Sequence, residues 1–322
     1  MMINHSLRNQ YKVSPGTVIK GKWYNHEYRI IKELGNGANG IVYLADCHGQ
    51  DAALKISDNS MSISSEINIL KSFAKVRGCT LGPSLLAVDD WAVKDKVFPF
   101  YVMEYIKGEN YLDFIKKGDS WTAVLILRLL KNLSLLHGMG YIFGDLKPEN
   151  LIISAPAGDV RFVDVGGITP IGRSIKEFTE FFDRGYWGMG SRKADPAYDL
   201  FAAAMIFINS YYPKRFGRKG EGLSELTRAV NEHKELRRYE KVILKALMGK
   251  YDTADSMREE LLRIISQNSA KGGIPNQGTK EPSLVQSRTA RKKKTKGRHL
   301  ESLILVLLIS FIYILYIYSR LL

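Results

Sequence analysis

The spacing of apolar residues changes period once along this chain. From Tyr28 to Met103 the runs YRIIKEL, GIVYLAD, DAALKIS and FPFYVMEYI are short and rich in β-branched and aromatic residues. Such runs predict strands. Among them SSEINILKSF sets Ile63, Ile67 and Leu70 at helical spacing and predicts one short helix. From Trp121 onward the pattern is helical, as in WTAVLILRLLKNLSLLH, LFAAAMIFINSYY and EKVILKALM. The expectation is an α+β chain with a small β-rich lobe over 28–104, a helical lobe over 109–266, a junction near Tyr105 to Glu109, and an extension over 1–27.

After Ser266 the periodicity stops. Residues 267–300 are polar, carry Gly and Pro, and hold nine Lys or Arg against one Glu. That composition predicts a linker. Leu303 to Tyr318 is then apolar except for Ser310. At about 1.5 Å per residue it spans roughly 24 Å, which Ser302 and Ser319 extend towards the ~30 Å of a bilayer core. A transmembrane helix over 301–319 is expected, with Tyr313, Tyr316 and Tyr318 at the far interface and 320–322 beyond it. The lysine cluster marks the near side as cytoplasmic. The N-terminal MMINHSLRNQ lacks an apolar signal core, so residues 28–266 are expected in the cytosol, held at the cell membrane by a single C-terminal anchor.

Composition narrows the class. With 45% hydrophobic and 25% charged residues, the chain is not disordered as a whole. Cys47 and Cys79 are its two cysteines, too few for a disulfide framework. The formal charge of +14 is concentrated in the linker, at Arg291, Lys292, Lys293, Lys294, Lys296 and Arg298. Anionic lipid, at about 1 kcal/mol per basic residue, or the phosphates of DNA would each attract that cluster. Lys214, Arg215, Arg218 and Lys219, with Phe216 between them, form a second basic stretch.

The chemistry lies in five motifs. Leu34 precedes Gly35-Asn36-Gly37-Ala38-Asn39-Gly40-Ile41-Val42, in which glycines let a backbone approach phosphates between two strands. Thirteen residues beyond Val42, Lys55 ends the strand Ala52-Ala53-Leu54-Lys55. Glu66 is the sole acidic residue between Asp58 and Asp89. A lysine in a phosphate cleft needs a carboxylate to orient it. Asp145, Lys147 and Asn150 follow as D-L-K-P-E-N, and Asp164-Val165-Gly166 begins fourteen residues after Asn150.

Taken in order, these motifs resemble a Hanks-type, eukaryotic-like serine/threonine protein kinase from Tyr28 to about Ser266. The resemblance implies a bilobal protein-kinase fold, ATP and Mg²⁺ as cofactors, and protein substrates with Ser or Thr hydroxyls. It implies that Lys55 and Glu66 pair, that Ala53 packs on the adenine, and that Met103 and Glu104 stand at the gatekeeper and hinge. It also implies that Asp145 takes the hydroxyl proton, that Lys147 steadies the phosphoryl group, and that Asn150 and Asp164 hold magnesium. Over its full length the chain further resembles a membrane-anchored kinase of spore-forming Gram-positive bacteria, which implies a sporulation setting, DNA-responsive activity and self-association on DNA.

Three departures from the family pattern stand out. Gly144 occupies the place of an arginine that, in many kinases, binds an activation-segment phosphate. No A-P-E follows Asp164, and MGKYDTADSM lacks the arginine that would pair with its glutamate. Val165 replaces a phenylalanine. Asp199 keeps the position that braces the catalytic loop, and His137 reads as a packed structural histidine. Thr169, Ser174, Thr179 and Ser191 are the hydroxyls of the activation segment. Two other readings compete: a small-molecule phosphotransferase, which also uses a Gly-Asp loop, and a pseudokinase acting as a DNA or lipid tether.

Overall fold

The computed structural model describes residues 11–271 except 38, 76–80, 119–120 and 157. The expected linker contacts from Arg291 to Arg298 and the apolar segment 301–319 lie outside the described residues. Among the described residues no helix is long and apolar enough to cross a membrane.

The N-terminal lobe is one antiparallel sheet of β1 (Val18–Lys20), β2 (Glu27–Gly37), β3 (Gly40–Cys47), β4 (Gln50–Ile56), β5 (Leu85–Val93) and β6 (Lys96–Glu104). The strand order is β1-β2-β3-β4-β6-β5. Alternation along each strand gives the sheet two working faces. Ala52, Leu54 and Ile56 of β4 join Phe98, Phe100 and Val102 of β6 and Tyr43 of β3 in a core internal to the lobe. The intervening Ala53, Tyr101 and Met103 turn the other way, into the large core that runs through the rest of the molecule. Lys55 lies on that second face, two residues from Ala53.

This lobe begins earlier than the sequence implies. Tyr11 and Ile19 are buried in its core, and β1 pairs with β2 from Val18↔Arg29 to Lys20↔Glu27. The turn after β1 crosses to β5, where the Lys22 N–H donates to Asp90 O at 2.8 Å. Asp89 accepts the Trp23 and Tyr24 N–H groups, both at 3.0 Å. Residues 11–27 are therefore part of the lobe rather than an extension, because the sheet needs them to cover its apolar interior.

Helix α1 (Ser60–Ala74) starts at Asn59, whose side chain accepts the Ser62 N–H at 3.1 Å. Its buried residues are Ile63, Glu66, Ile67, Ile69, Leu70 and Phe73, an apolar stripe at helical spacing with one carboxylate in it. That places Glu66 against the sheet.

In the second lobe, β7 (Gly108–Asn110) leads into α2 (Tyr111–Ile115) and α3 (Thr122–Gly138). The short strands β8 (Tyr141–Ile142), β9 (Leu151–Ser154), β10 (Asp159–Phe162) and β11 (Thr169–Pro170) follow. They pair as β10-β9-β7 and as β11-β8, which fixes both ends of the loop 143–150 and the start of the segment after Asp164. Helix α4 (Pro196–Tyr211) is buried continuously from Tyr198 to Asn209. A helix apolar on all sides belongs in a core, and α5 (Gly222–Glu232), α6 (Lys234–Arg237), α7 (Glu240–Leu247) and α8 (Ala254–Lys271) complete the lobe. Helix α8 continues past Ser266, so residues 267–271 of the expected linker are helical.

Candidate active site

A cleft of about 950 Å³ runs between the lobes. Its lining includes Leu34, Gly35, Gly37, Gly40, Val42, Ala53, Lys55, Met103, Glu104, Asp145, Lys147, Asn150 and Asp164. Every residue assigned above to nucleotide, metal or phosphoryl transfer lines this one cleft, except Glu66, which stands behind Lys55.

Lys55 and Glu66 are almost fully buried, and Lys55 Nζ lies 2.7 Å from Glu66 Oε2. Glu66 also accepts the Tyr101 hydroxyl at 2.7 Å and the Ser62 hydroxyl at 3.2 Å. Lys55 Nζ reaches Asp164 Oδ1 at 3.4 Å. Burial alone would lower the Lys55 pKa, but Asp164 and Glu66 together hold it above the ordinary value. Burial likewise opposes ionisation of Asp164, yet Lys55 and the Gly166 N–H, 3.0 Å away, keep its carboxyl below the usual range. A fixed cation and a fixed anion therefore face each other across the cleft.

The glycines of the phosphate loop divide by role. A Cβ on Gly35 or Gly37 would meet nothing within 4 Å, so these two leave open space above the cleft. Gly40 has φ +132°, and a Cβ there would come 2.4 Å from Ile56 O. Gly40 is required by the β3–β4 packing, and the other two suit a close-approaching phosphate chain. At the far end Ala53 and Met103 are buried. The Glu104 side chain turns away: Arg161 grips it through Nη1 at 2.5 Å and Nη2 at 2.9 Å and holds its carboxyl below the usual range. Only the backbone of Glu104 is left for a hinge.

In the catalytic loop, Asn150 Nδ2 donates to Asp145 O at 2.8 Å. Lys147 Nζ bonds Asp145 Oδ2 and donates to Thr179 Oγ1 at 3.2 Å. Thr179 Oγ1 donates to Asp145 Oδ1 at 3.0 Å. A hydroxyl of the activation segment thus rests on the carboxylate best placed to receive a hydroxyl proton. Beneath the loop, Asp199 Oδ2 accepts the Phe143 N–H at 2.7 Å and Oδ1 accepts the Gly144 N–H at 3.0 Å. His137 Nε2 meets the same carboxylate at 2.9 Å. Val165 and Phe143 are buried, and Phe143 packs on Phe162 with ring centroids 4.5 Å apart.

The activation segment carries its own fastenings. Gly172 N–H donates to Ala194 O at 2.8 Å, Ala194 N–H to Arg173 O at 2.7 Å, and Ile175 N–H to Arg192 O at 2.9 Å. Two ion pairs reinforce this ladder. Arg192 binds the wholly buried Asp183 at 2.7 Å, and Arg184 binds Asp195 at 2.7 Å. These residues lie in the stretch of chain where the A-P-E glutamate is missing. The sequence signal was present in DRGYWGMGSRKAD, where two acids and two arginines lie within thirteen residues.

Of the second basic stretch, Arg215 bonds Glu149 and Arg218 donates to Tyr186 O at 2.9 Å. Both arginines therefore have partners within the lobe.

The two lobes, the cleft and the Lys55–Glu66 pair define a phosphotransferase of the protein kinase class. Residues 28–271 match the protein kinase domain family, and the chain belongs to that family. It is 45% identical over 304 residues to the serine/threonine-protein kinase YabT of Bacillus subtilis, covering 92% of this chain and 90% of that protein. It is 27% identical over 264 residues to the probable serine/threonine-protein kinase YbdM of the same organism, covering 75% and 90%. The structure of vaccinia related kinase 3 superposes with a TM-score of 0.59 over 82% of this chain and 94% of that one, at 17% identity, a likeness of fold. The protein is a Hanks-type protein serine/threonine kinase.

Proposed function

We propose that this kinase transfers phosphate from ATP to Ser or Thr hydroxyls at the inner face of the cell membrane, and that DNA gathered by its basic linker raises its activity. The observation that carries the reading is the Lys55–Glu66 pair, closed at 2.7 Å, together with Gly144, which has no side chain to bind a phosphate. An activation-segment phosphate thus has no arginine to read it at that position.

The residues suit the reactants. Gly35 and Gly37 leave room for a nucleotide's phosphates, and Lys55 supplies a cation oriented from behind by Glu66. Asn150 and Asp164 present oxygen ligands of the kind Mg²⁺ prefers, and the ion would neutralise charge between phosphate groups. Asp145 would orient the substrate hydroxyl and take its proton as the new P–O bond forms and the bond from the γ-phosphorus to the departing ADP oxygen breaks. Lys147, already on the Asp145 carboxylate, stabilises the negative charge beside it.

For the regulation, the basic linker and the apolar segment 301–319 supply the support. Several kinase domains on one polyanion would meet at high effective concentration and phosphorylate one another. Anionic lipid is the competing partner for the same lysines, and sporulation is the setting the YabT-like sequence supports. The test is autophosphorylation of the full-length chain in neutral detergent over a DNA titration. Stimulation should rise and then fall as excess DNA separates the molecules. Neutralising Arg291, Lys292, Lys293, Lys294, Lys296 and Arg298 should abolish the rise and leave basal activity. A flat titration of the unmutated chain would sink the DNA reading.

A further inference from the structure

We propose that the phosphoacceptor site prefers Ser or Thr hydroxyls flanked by acidic residues, read by Arg192 and Arg215. The inference rests on the protein kinase reading and adds a substrate class to it. The Arg192 guanidinium lies over the Phe178 ring, 3.9 Å from its centroid, and Phe178 immediately precedes Thr179. The Arg215 guanidinium lies over Phe182, 4.7 Å from its centroid, three residues beyond Thr179. In the sequence the two rings lie on either side of Thr179, whose hydroxyl is bonded to Asp145 and Lys147.

Each guanidinium is also fixed by a carboxylate. Arg192 uses Nε and Nη2 on Asp183, and Arg215 uses Nη2 on Glu149. Arginine offers five N–H donors in one planar fork, so each keeps donors for a second anion. Their side chains are 45% and 30% exposed. Stacking on an aromatic face fixes the plane of the fork beforehand, which lowers the ordering cost of binding.

Glu149 gives the preference its sign. It lies four residues after Asp145, and free it would attract a basic neighbour of the substrate hydroxyl. Arg215 already neutralises it. Arg173, Lys176, Lys193 and Lys214 are exposed on the same segment and the adjoining loop and outnumber the exposed Glu180 and half-buried Glu177, so the field at the mouth favours acidic chains. A nucleic acid would also be drawn to arginines, but Arg192 lies on Phe178 and Arg215 holds Glu149, and both of those residues line the cleft with Asp145, where a substrate hydroxyl must arrive.

The test uses the full-length chain in neutral detergent and three equal-length peptides with one serine, flanked by Asp and Glu, by Ala, or by Lys and Arg. The acidic peptide should exceed the alanine peptide in kcat/KM by about tenfold, mostly through KM, and the advantage should shrink with salt. Arg215→Gln keeps a chain that can lie on Phe182 but frees Glu149. It should cut the acidic advantage severalfold and raise turnover of the basic peptide. Lys116→Gln, a surface change elsewhere, should leave the order unchanged. Equal use of the three peptides, or an unaltered order in Arg215→Gln, would overturn the proposal. So would binding of a short DNA duplex that Arg215→Gln abolishes while the peptides stay indistinguishable. Phosphorylation of none of the peptides would overturn the protein kinase reading itself.

Discussion

Arg192, on an exposed stretch of the activation segment, binds Asp183, a carboxylate with no exposure at all, at 2.7 Å. Asp183 also accepts the Tyr198 hydroxyl and the Gly185 and Tyr186 N–H groups. One buried anion therefore holds the segment to helix α4. Asp183→Ala should cost about 2–3 kcal/mol, somewhat under a fully buried pair because Arg192 stays half hydrated. The denaturant midpoint reads that loss, and peptide phosphorylation should fall with it because Thr179 loses its seat.

Asp145→Asn should lower peptide phosphorylation by about 10²–10⁴-fold, the range for losing a general base. The circular dichroism melt should stay near wild type, since an amide can still accept from Thr179. Lys55→Ala should be as inactive, but it leaves Glu66 buried without its cation and should melt lower as well. Near-normal turnover by Asp145→Asn would remove that residue from the mechanism.

Restoring the family's arginine should do harm. Gly144 has φ +83°, and a Cβ there would come 2.7 Å from Gly167 O. Gly144→Arg should lose about 1–2 kcal/mol from the left-handed backbone alone and gain no phosphate dependence. Greater stability in that variant would contradict the loop geometry.

Acid should attack the second lobe through Glu260. Lys245 at 2.9 Å, with Lys241 and Tyr251, lowers its pKa from 4.5 to about 2. A depressed carboxyl stabilises the fold above the unfolded value and loses that contribution as pH falls. The window is therefore about 4.5 down to 2. Glu260→Gln should be less stable at neutral pH and should show a flatter melting-temperature profile across that window.

Removing everything after Arg298 should release the kinase from membranes without loss of peptide phosphorylation. Sedimentation of each form with vesicles of neutral lipid, which the retained basic cluster does not bind, distinguishes the cases. If the shortened chain still sediments fully with vesicles, the anchor lies elsewhere.

Short-range spacing made much of the cleft legible in the sequence. Gly35 to Val42, Lys55, Asp145, Asn150 and Asp164 each stand in a local motif whose spacing is set by one strand or one loop. Glu66 was legible because it was the sole acid in its region. Tyr101 on Glu66 and Arg161 on Glu104 were not, since both join residues far apart in the chain and no local period marks them. Thr179 could be named as one hydroxyl of four, but only the folded segment places it on Asp145. Arg215 and Arg218 read as a free basic stretch because a sequence shows charges and not their partners.

The buried Tyr11 and Ile19 set the smallest piece of chain that can stand alone. The family match begins at Tyr28, yet a fragment cut there would strip β2 of its neighbour β1 and uncover Phe98, on which the Tyr11 ring packs at 5.5 Å. An unpaired strand beside an exposed aromatic invites one copy to pair with another. The segment ahead of the kinase motifs is thus a built-in guard against aggregation, and trimming it would show up first as insoluble protein rather than as a slower enzyme.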